Sequence, residues 1–189
     1  MKIDSYADTG LLVSVELVNE VGSSGEGDDP LAPGSSLPVL TRILAVDPPS
    51  VAQLGPADEP GFRALANRLR EVFENARRGD IDGAANQLND LLAMHPAHPH
   101  LAKEEGHWRL HHHPDDAALV PMWTAICAEA IARMIGAGYG SRLGTCARVD
   151  CNRVFLDLSK NASRRFCSTT CQNRVKAAAF RRRHASGEG

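Results

Sequence analysis

The chain of 189 residues lacks the marks of several large protein classes. It holds no Gly-rich phosphate-binding loop, no nucleophile elbow and no paired-carboxylate motif, so no enzyme activity is expected of it. No stretch approaches the ~18 apolar residues of a membrane span. The start, Met1-Lys-Ile-Asp-Ser-Tyr-Ala-Asp, has no apolar run of signal-peptide length after a basic beginning, and a cytoplasmic protein without membrane contact is expected. There is no internal repeat. Cysteine is scarce too, at five residues, and disulfides are rare in the compartment this reading implies.

Four of those five cysteines crowd into one short stretch. Cys146 and Cys151 form Cys-x4-Cys, Cys167 and Cys171 form Cys-x3-Cys, and 15 residues separate the pairs. Zinc asks for four soft donors that close a tetrahedron at about 2.3 Å, and two short-spaced pairs provide them. One structural zinc ion on Cys146, Cys151, Cys167 and Cys171 is the leading reading; an iron–sulfur cluster is the main competitor and two disulfides a more distant one. Cys127 lies in a helical pattern and reads as a small core residue.

The net charge of −2 hides an asymmetry. From Arg142 onward there are 11 basic and 3 acidic residues, a net of +8, which leaves 10 basic and 20 acidic residues, a net of −10, in residues 1–141. Such a split suggests two modules, an acidic body of residues 1–140 and a basic tail of residues 141–189, of which only the tail attracts phosphate. A unit of roughly 45 residues buries too little apolar surface to fold well unaided, and metal binding is the usual remedy. Phe155, Leu156, Leu158, Phe166 and Val175 are its candidates for packing around the metal.

In the body the signals are mainly helical. Leu11, Leu12, Val15, Leu17, Val18 and Val21 suggest a helix, although Leu-Leu-Val-Ser-Val-Glu-Leu-Val also passes for a strand. Residues 22–36 form a loop by composition. Residues 37–46 give a short helix, Asp47-Pro-Pro caps another through Leu54, and Phe62, Leu65, Leu69, Val72 and Phe73 mark an amphipathic helix over 58–78. Gly79-Asp80 stops it before a helix over 81–92, with Leu88, Leu91 and Leu92 inward. Residues 98–103 and 107–113 read as a strand pair around a turn at 104–106, with Trp108 and Leu110 on its inner face. Pro114-Asp-Asp then opens a long apolar helix carrying Trp123, Ile126 and Ile131. Seven of eight histidines fall between His95 and His113. A second metal site there is opposed by Arg109, which lies among His107, His111 and His113, so a polar outer face is the simpler reading.

The tail resembles the CGNR-type zinc finger, named for a Cys-Gly-Asn-Arg motif that here reads Cys171-Gln172-Asn173-Arg174. More weakly, the body resembles the ABATE domain, through Leu17-Val18-Asn19 and Leu88-Asn89; that domain precedes such fingers in bacterial proteins described as stress-induced transcription regulators. The resemblance and the helical pattern together imply a mainly α N-terminal domain with a small β-hairpin (α+β), followed by a zinc finger built from a short β-hairpin and a basic helix. Cys146 and Cys151 are expected in a knuckle before that hairpin, and Cys167 and Cys171 at the start of the helix. Arg148, Arg153 and Arg165 are expected to offset the thiolate charge, with Asp157 a partner for one of them. Gln172 stands where the family has Gly, a departure that matters if the backbone needs a positive φ there.

DNA is the expected partner. Arg164, Arg165, Arg174, Lys176, Arg181, Arg182 and Arg183 supply phosphate or base contacts, and Gln172 and Asn173 have the donors and acceptors to read base edges. The implied function is a DNA-binding transcription regulator whose N-terminal domain senses a small-molecule or stress signal or forms a homodimer. A zinc-stabilised module that docks on RNA or on a protein is the alternative.

Overall fold

Polar caps and glycines punctuate the helices much as the sequence leads one to expect. The computed structural model describes residues 5–22, 36–95, 100–104, 106–111 and 117–185. The loop expected at 22–36 lies almost wholly outside these residues, as do the helix opening expected at Pro114-Asp-Asp and the histidines His98, His112 and His113.

Helix α1 spans Ser5–Glu20, α2 Leu37–Leu44 and α3 Pro48–Gln53. The Asp47 carboxylate caps α3 by accepting from the Ser50 N–H at 3.1 Å, and its proline start needs no amide partner. Helix α4, Glu59–Arg78, buries Phe62, Leu65, Leu69, Val72 and Phe73 on one stripe. It stops at Gly79, whose φ of +83° is one that L side chains rarely adopt. Asp80 then caps α5, Ile81–Met94, by accepting from the Gly83 N–H at 2.8 Å.

Helix α6, Leu119–Gly136, is long and apolar enough by length and composition to cross a membrane, which the sequence reading does not credit to any stretch. Its surroundings are those of a central core helix. Trp123, Cys127, Ala128, Ile131 and Met134 are buried, and α1 and α5 pack against it. A Cβ on Gly10 would lie 2.8 Å from the Ala130 Cβ, so α1 and α6 approach more closely there than a side chain permits. Trp123 donates its indole N–H to the Ser50 hydroxyl at 2.9 Å, which ties α6 to α3. Cys127 is fully buried, and burial pushes its thiol up to about 12, so it is a core residue as expected.

Strands β1, His100–Glu104, and β2, His107–His111, pair antiparallel with Lys103 opposite Trp108. The sequence puts Trp108 on an inner face, but it is 67% exposed, and Leu101, on the same face, is 63% exposed. The reason is topological: the two strands pair with each other and make no extended contact with another described element. His100 and His111 stack at 5.5 Å on the opposite face, and among the described residues no metal cluster involves a histidine.

Strands β3, Leu143–Thr145, and β4, Val154–Leu156, form a second antiparallel pair. Leu143, Val154 and Leu156 belong to the same buried cluster as Leu17, Phe62 and Leu69, so one core runs across the junction at residues 140 and 141. Asn19 completes the contact by donating its amide N–H to the Val154 carbonyl at 3.0 Å and accepting from the Val154 N–H at 2.8 Å. Arg70 bridges the two halves by donating to the carbonyls of Val18 at 2.7 Å and Asn152 at 2.6 Å. Helix α7, Thr169–Ala185, makes no extended contact with another described element.

Candidate metal centre and basic helix

The first two cysteines lie in the connection between β3 and β4, not in a knuckle ahead of the hairpin. Cys146 follows β3 directly and donates its N–H to the Arg153 carbonyl at 2.9 Å, while the Cys151 N–H closes a turn on the Arg148 carbonyl at 3.1 Å. The hairpin thus presents both sulfurs from its own loop. Cys167 and Cys171 come from the other side, at the start of α7. The Ser168 hydroxyl accepts from the Cys171 N–H at 3.2 Å and its carbonyl from the Gln172 N–H, so Ser168 caps the helix that carries the fourth sulfur.

The sulfur geometry selects among the ligand readings. All four Sγ atoms lie within 4.8 Å of one another, and the Cys167–Cys171, Cys151–Cys167 and Cys151–Cys171 distances are 3.6, 3.7 and 3.8 Å. A tetrahedron of sulfurs about 2.3 Å from one ion has edges of about 3.8 Å. A disulfide would bring two sulfurs to about 2.05 Å, and all four cysteines are free thiols here. A multi-iron cluster needs its own core between the thiolates, for which this spacing leaves no room. The donor set therefore fits one tetrahedral zinc, with every position filled by protein and none open for chemistry. When bound, the ion joins the hairpin loop to α7.

Proton affinities within the cluster agree. The Ser168 hydroxyl leads the causes that bring the Cys171 thiol down to about 6, while burial leads those that push Cys167 up to about 12. Thiolates this close cannot all ionise unless a cation joins them. Of the three arginines expected to offset the thiolate charge, Arg148 comes nearest to doing so: the neighbouring sulfurs of Cys151 and Cys171 raise its already high proton affinity, while its guanidinium donates to the Asp150 carbonyl at 3.0 Å. Arg153 instead pairs with Glu20 at 2.8 Å, because the hairpin packs on α1.

Asp157 partners none of those three side chains. It is buried and accepts from the Ser159 N–H at 2.9 Å, the Ser159 hydroxyl at 2.5 Å and the Arg164 N–H at 2.7 Å. Burial alone would raise its pKa, but these bonds and the nearby Arg142 charge more than reverse that and hold it below its ordinary value. A depressed pKa means stability that is present above the unfolded value of about 3.9 and is lost as pH falls through the folded value. Asp157→Ala is expected to lower stability by about 2–3 kcal/mol in urea melts at neutral pH, with the gap to the parent narrowing below about pH 4.

The remaining candidates separate into two groups. Arg164 turns back onto the finger: its guanidinium donates to the carbonyls of Phe166 at 2.9 Å, Leu156 at 3.3 Å and Cys167, and stacks 4.8 Å from the Phe155 ring. Phe155 in turn covers Gly144, where a Cβ would lie 2.6 Å from the ring. Arg164 is thereby fixed as a brace of the finger. Arg165, Gln172, Asn173, Arg174, Lys176, Arg181, Arg182 and Arg183 are exposed. Arg165 and Gln172 line one shallow depression of about 290 Å³ with Ser163 and Thr169. Gln172 is helical, and Ala162 is the only non-glycine residue with positive φ among those described, so the family's Gly is not required there. Leu158, expected against the metal, is 58% exposed, whereas Phe155 and Leu156 are buried. Nothing in the sequence reading marks Asn19 or Arg70 as a junction residue; the polar Asn19 at the end of the apolar run Leu17-Val18 is the available signal.

Residues 13–138 match the ABATE family, described as "putative stress-induced transcription regulator", and residues 142–184 match the CGNR zinc finger. No curated protein matches the chain. The first match covers well over half of the sequence and the second contains all four cysteines. The chain belongs to the ABATE family and carries, after that domain, a CGNR zinc finger built to hold one structural zinc ion.

Proposed function

We propose that this protein is a transcription regulator that binds duplex DNA through α7, with the helical body as its sensing half. The observation that carries this reading is the helix itself. It has 17 residues, includes Arg174, Lys176, Arg181, Arg182 and Arg183, contains no acidic residue, and makes no extended contact with another described element. At about 1.5 Å per residue it is about 25 Å long and projects about 21 Å beyond Cys171. Such a helix leaves most of its surface uncovered and carries charge that suits phosphate. The major groove of B-DNA admits an α-helix, whereas that of duplex RNA is too narrow, which favours DNA.

Sequence-selective retention tests the proposal. Zinc-loaded full-length protein is incubated with genomic fragments near physiological salt, and the retained fragments are sequenced. A shared short motif is expected, and an inverted repeat within it would indicate a dimer. Retention without a shared motif, or none, would overturn the reading in favour of an RNA or protein partner.

A further inference from the structure

A cleft of about 480 Å³ opens between the C-terminal end of α4 and the zinc unit. Five arginines line it: Arg77 and Arg78 from α4, Arg142 before β3, and Arg164 and Arg165 ahead of the third cysteine. Asp157 is the one acidic residue among the described residues of the lining, and its oxygens already accept from Ser159 and from the Arg164 backbone. Arg142 donates to the carbonyls of Asp157 at 2.8 Å and Ser159 at 2.7 Å, and Arg164 is held by the three carbonyls named above, so two of the positive charges are fixed in place. Arg78 reaches Asn75, while the guanidinium groups of Arg77 and Arg165 have no partner among the described residues. Fixed charge on the wall and free guanidinium donors at the rim make a site prepared for an anion.

We infer that this cleft binds a small molecule carrying two or more phosphoryl groups. Arginine forks match phosphate oxygens in a bidentate geometry. A concavity lined by one sign of charge focuses its field on whatever enters. The volume falls within the ~300–1,000 Å³ of small-molecule sites, whereas a duplex backbone is convex and needs no such enclosure. Two walls matter as much as charge: Arg77 and Arg78 belong to the helical body, and Arg165 lies two residues before Cys167. An occupant joins the body to the finger at the segment that leads into α7. This gives the proposed sensing half a location and a ligand class; the site itself stands on its own geometry, and its test does not involve DNA.

Inorganic pyrophosphate is the probe, titrated by calorimetry into the zinc-loaded full chain at about 150 mM salt, with zinc content measured before and after. Saturable one-to-one binding is expected, weakened about tenfold or more in Arg77→Ala/Arg78→Ala and preserved when Arg181, Arg182 and Arg183 are all changed to alanine. These residues are exposed, and unchanged zinc content and thermal melts establish that the variants fold. Absent binding, equal binding by the α4 variant, or loss only in the tail variant would overturn the inference. Citrate binding as tightly as pyrophosphate would overturn the phosphoryl class. DNA retention by the parent protein is scored separately, so failure of this site and failure of the DNA reading are distinguishable.

Discussion

Replacing Cys151 or Cys171 with serine is expected to strip protection from α7 while α1, α4, α5 and α6 keep theirs. The metal is what joins α7 to the rest of the molecule, since the helix has no apolar stripe and no extended contact with another described element. Zinc binding supplies about 10–16 kcal/mol in zinc-finger peptides, and loss of one thiolate removes a large share of it. The loss does not reach back to the boundary of charge near residue 141. Leu143, Val154 and Leu156 are held by the helical core, and Asn19 pairs with both polar groups of Val154, so β3 and β4 should remain formed without the ion. Amide exchange with mass readout checks this: protection should vanish over 159–185 and persist over 143–145 and 154–156. Retained protection of α7 in either variant would show that something other than zinc holds it.

The body is legible where one face of one helix meets one core. Phe62, Leu65, Leu69, Val72 and Phe73 repeat at helical spacing because α4 buries a single stripe, and its polar face is free to carry charge. Helix α1 is ambiguous in sequence for the opposite reason. It is packed by α6 and by α4 and β4, so Leu11, Val13, Ser14, Leu17 and Val18 are buried together and the period blurs toward strand-like alternation. Alternation misleads in the first hairpin as well. It places Trp108 and Leu110 on one face, where they lie opposite Lys103 and Leu101, but a shared face does not say whether another element will cover it.

Metal ligands are legible in sequence because local spacing puts their sulfurs within reach of one another, and the cysteines form the site that their spacing implies. Arginine carries no such signal. Arg148, Arg153 and Arg164 look alike in a basic tail, yet one feels the charge of the sulfurs, one meets Glu20 on α1 and one braces backbone carbonyls. Those roles depend on which chain segments fold beside them. The shared core presents a similar obstacle: a few apolar strand residues on each side of a loop do not reveal that their neighbours are Leu17 and Phe62, far back in the chain.

Changing Arg181, Arg182 and Arg183 together to alanine should reduce the salt dependence of DNA binding more than any other exposed substitution. Each phosphate neutralised contributes about 0.9 to the slope of log affinity against log salt, so losing three contacts should flatten the slope by about 2–3. Zinc content should not change, because Arg181 lies ten residues beyond Cys171, about 15 Å along the helix. Asn173→Ala supplies the contrast. An amide near the metal-held end that reads a base edge should, when removed, relax preference at one position and leave the slope nearly intact. Titrations across salt with the selected site and a scrambled duplex separate the two effects. An unchanged slope in the triple variant would mean that the arginines only solubilise the end of α7; a flattened slope with intact zinc would make them the grip that keeps the helix on the phosphates while Gln172, Asn173 and Arg174 meet the bases.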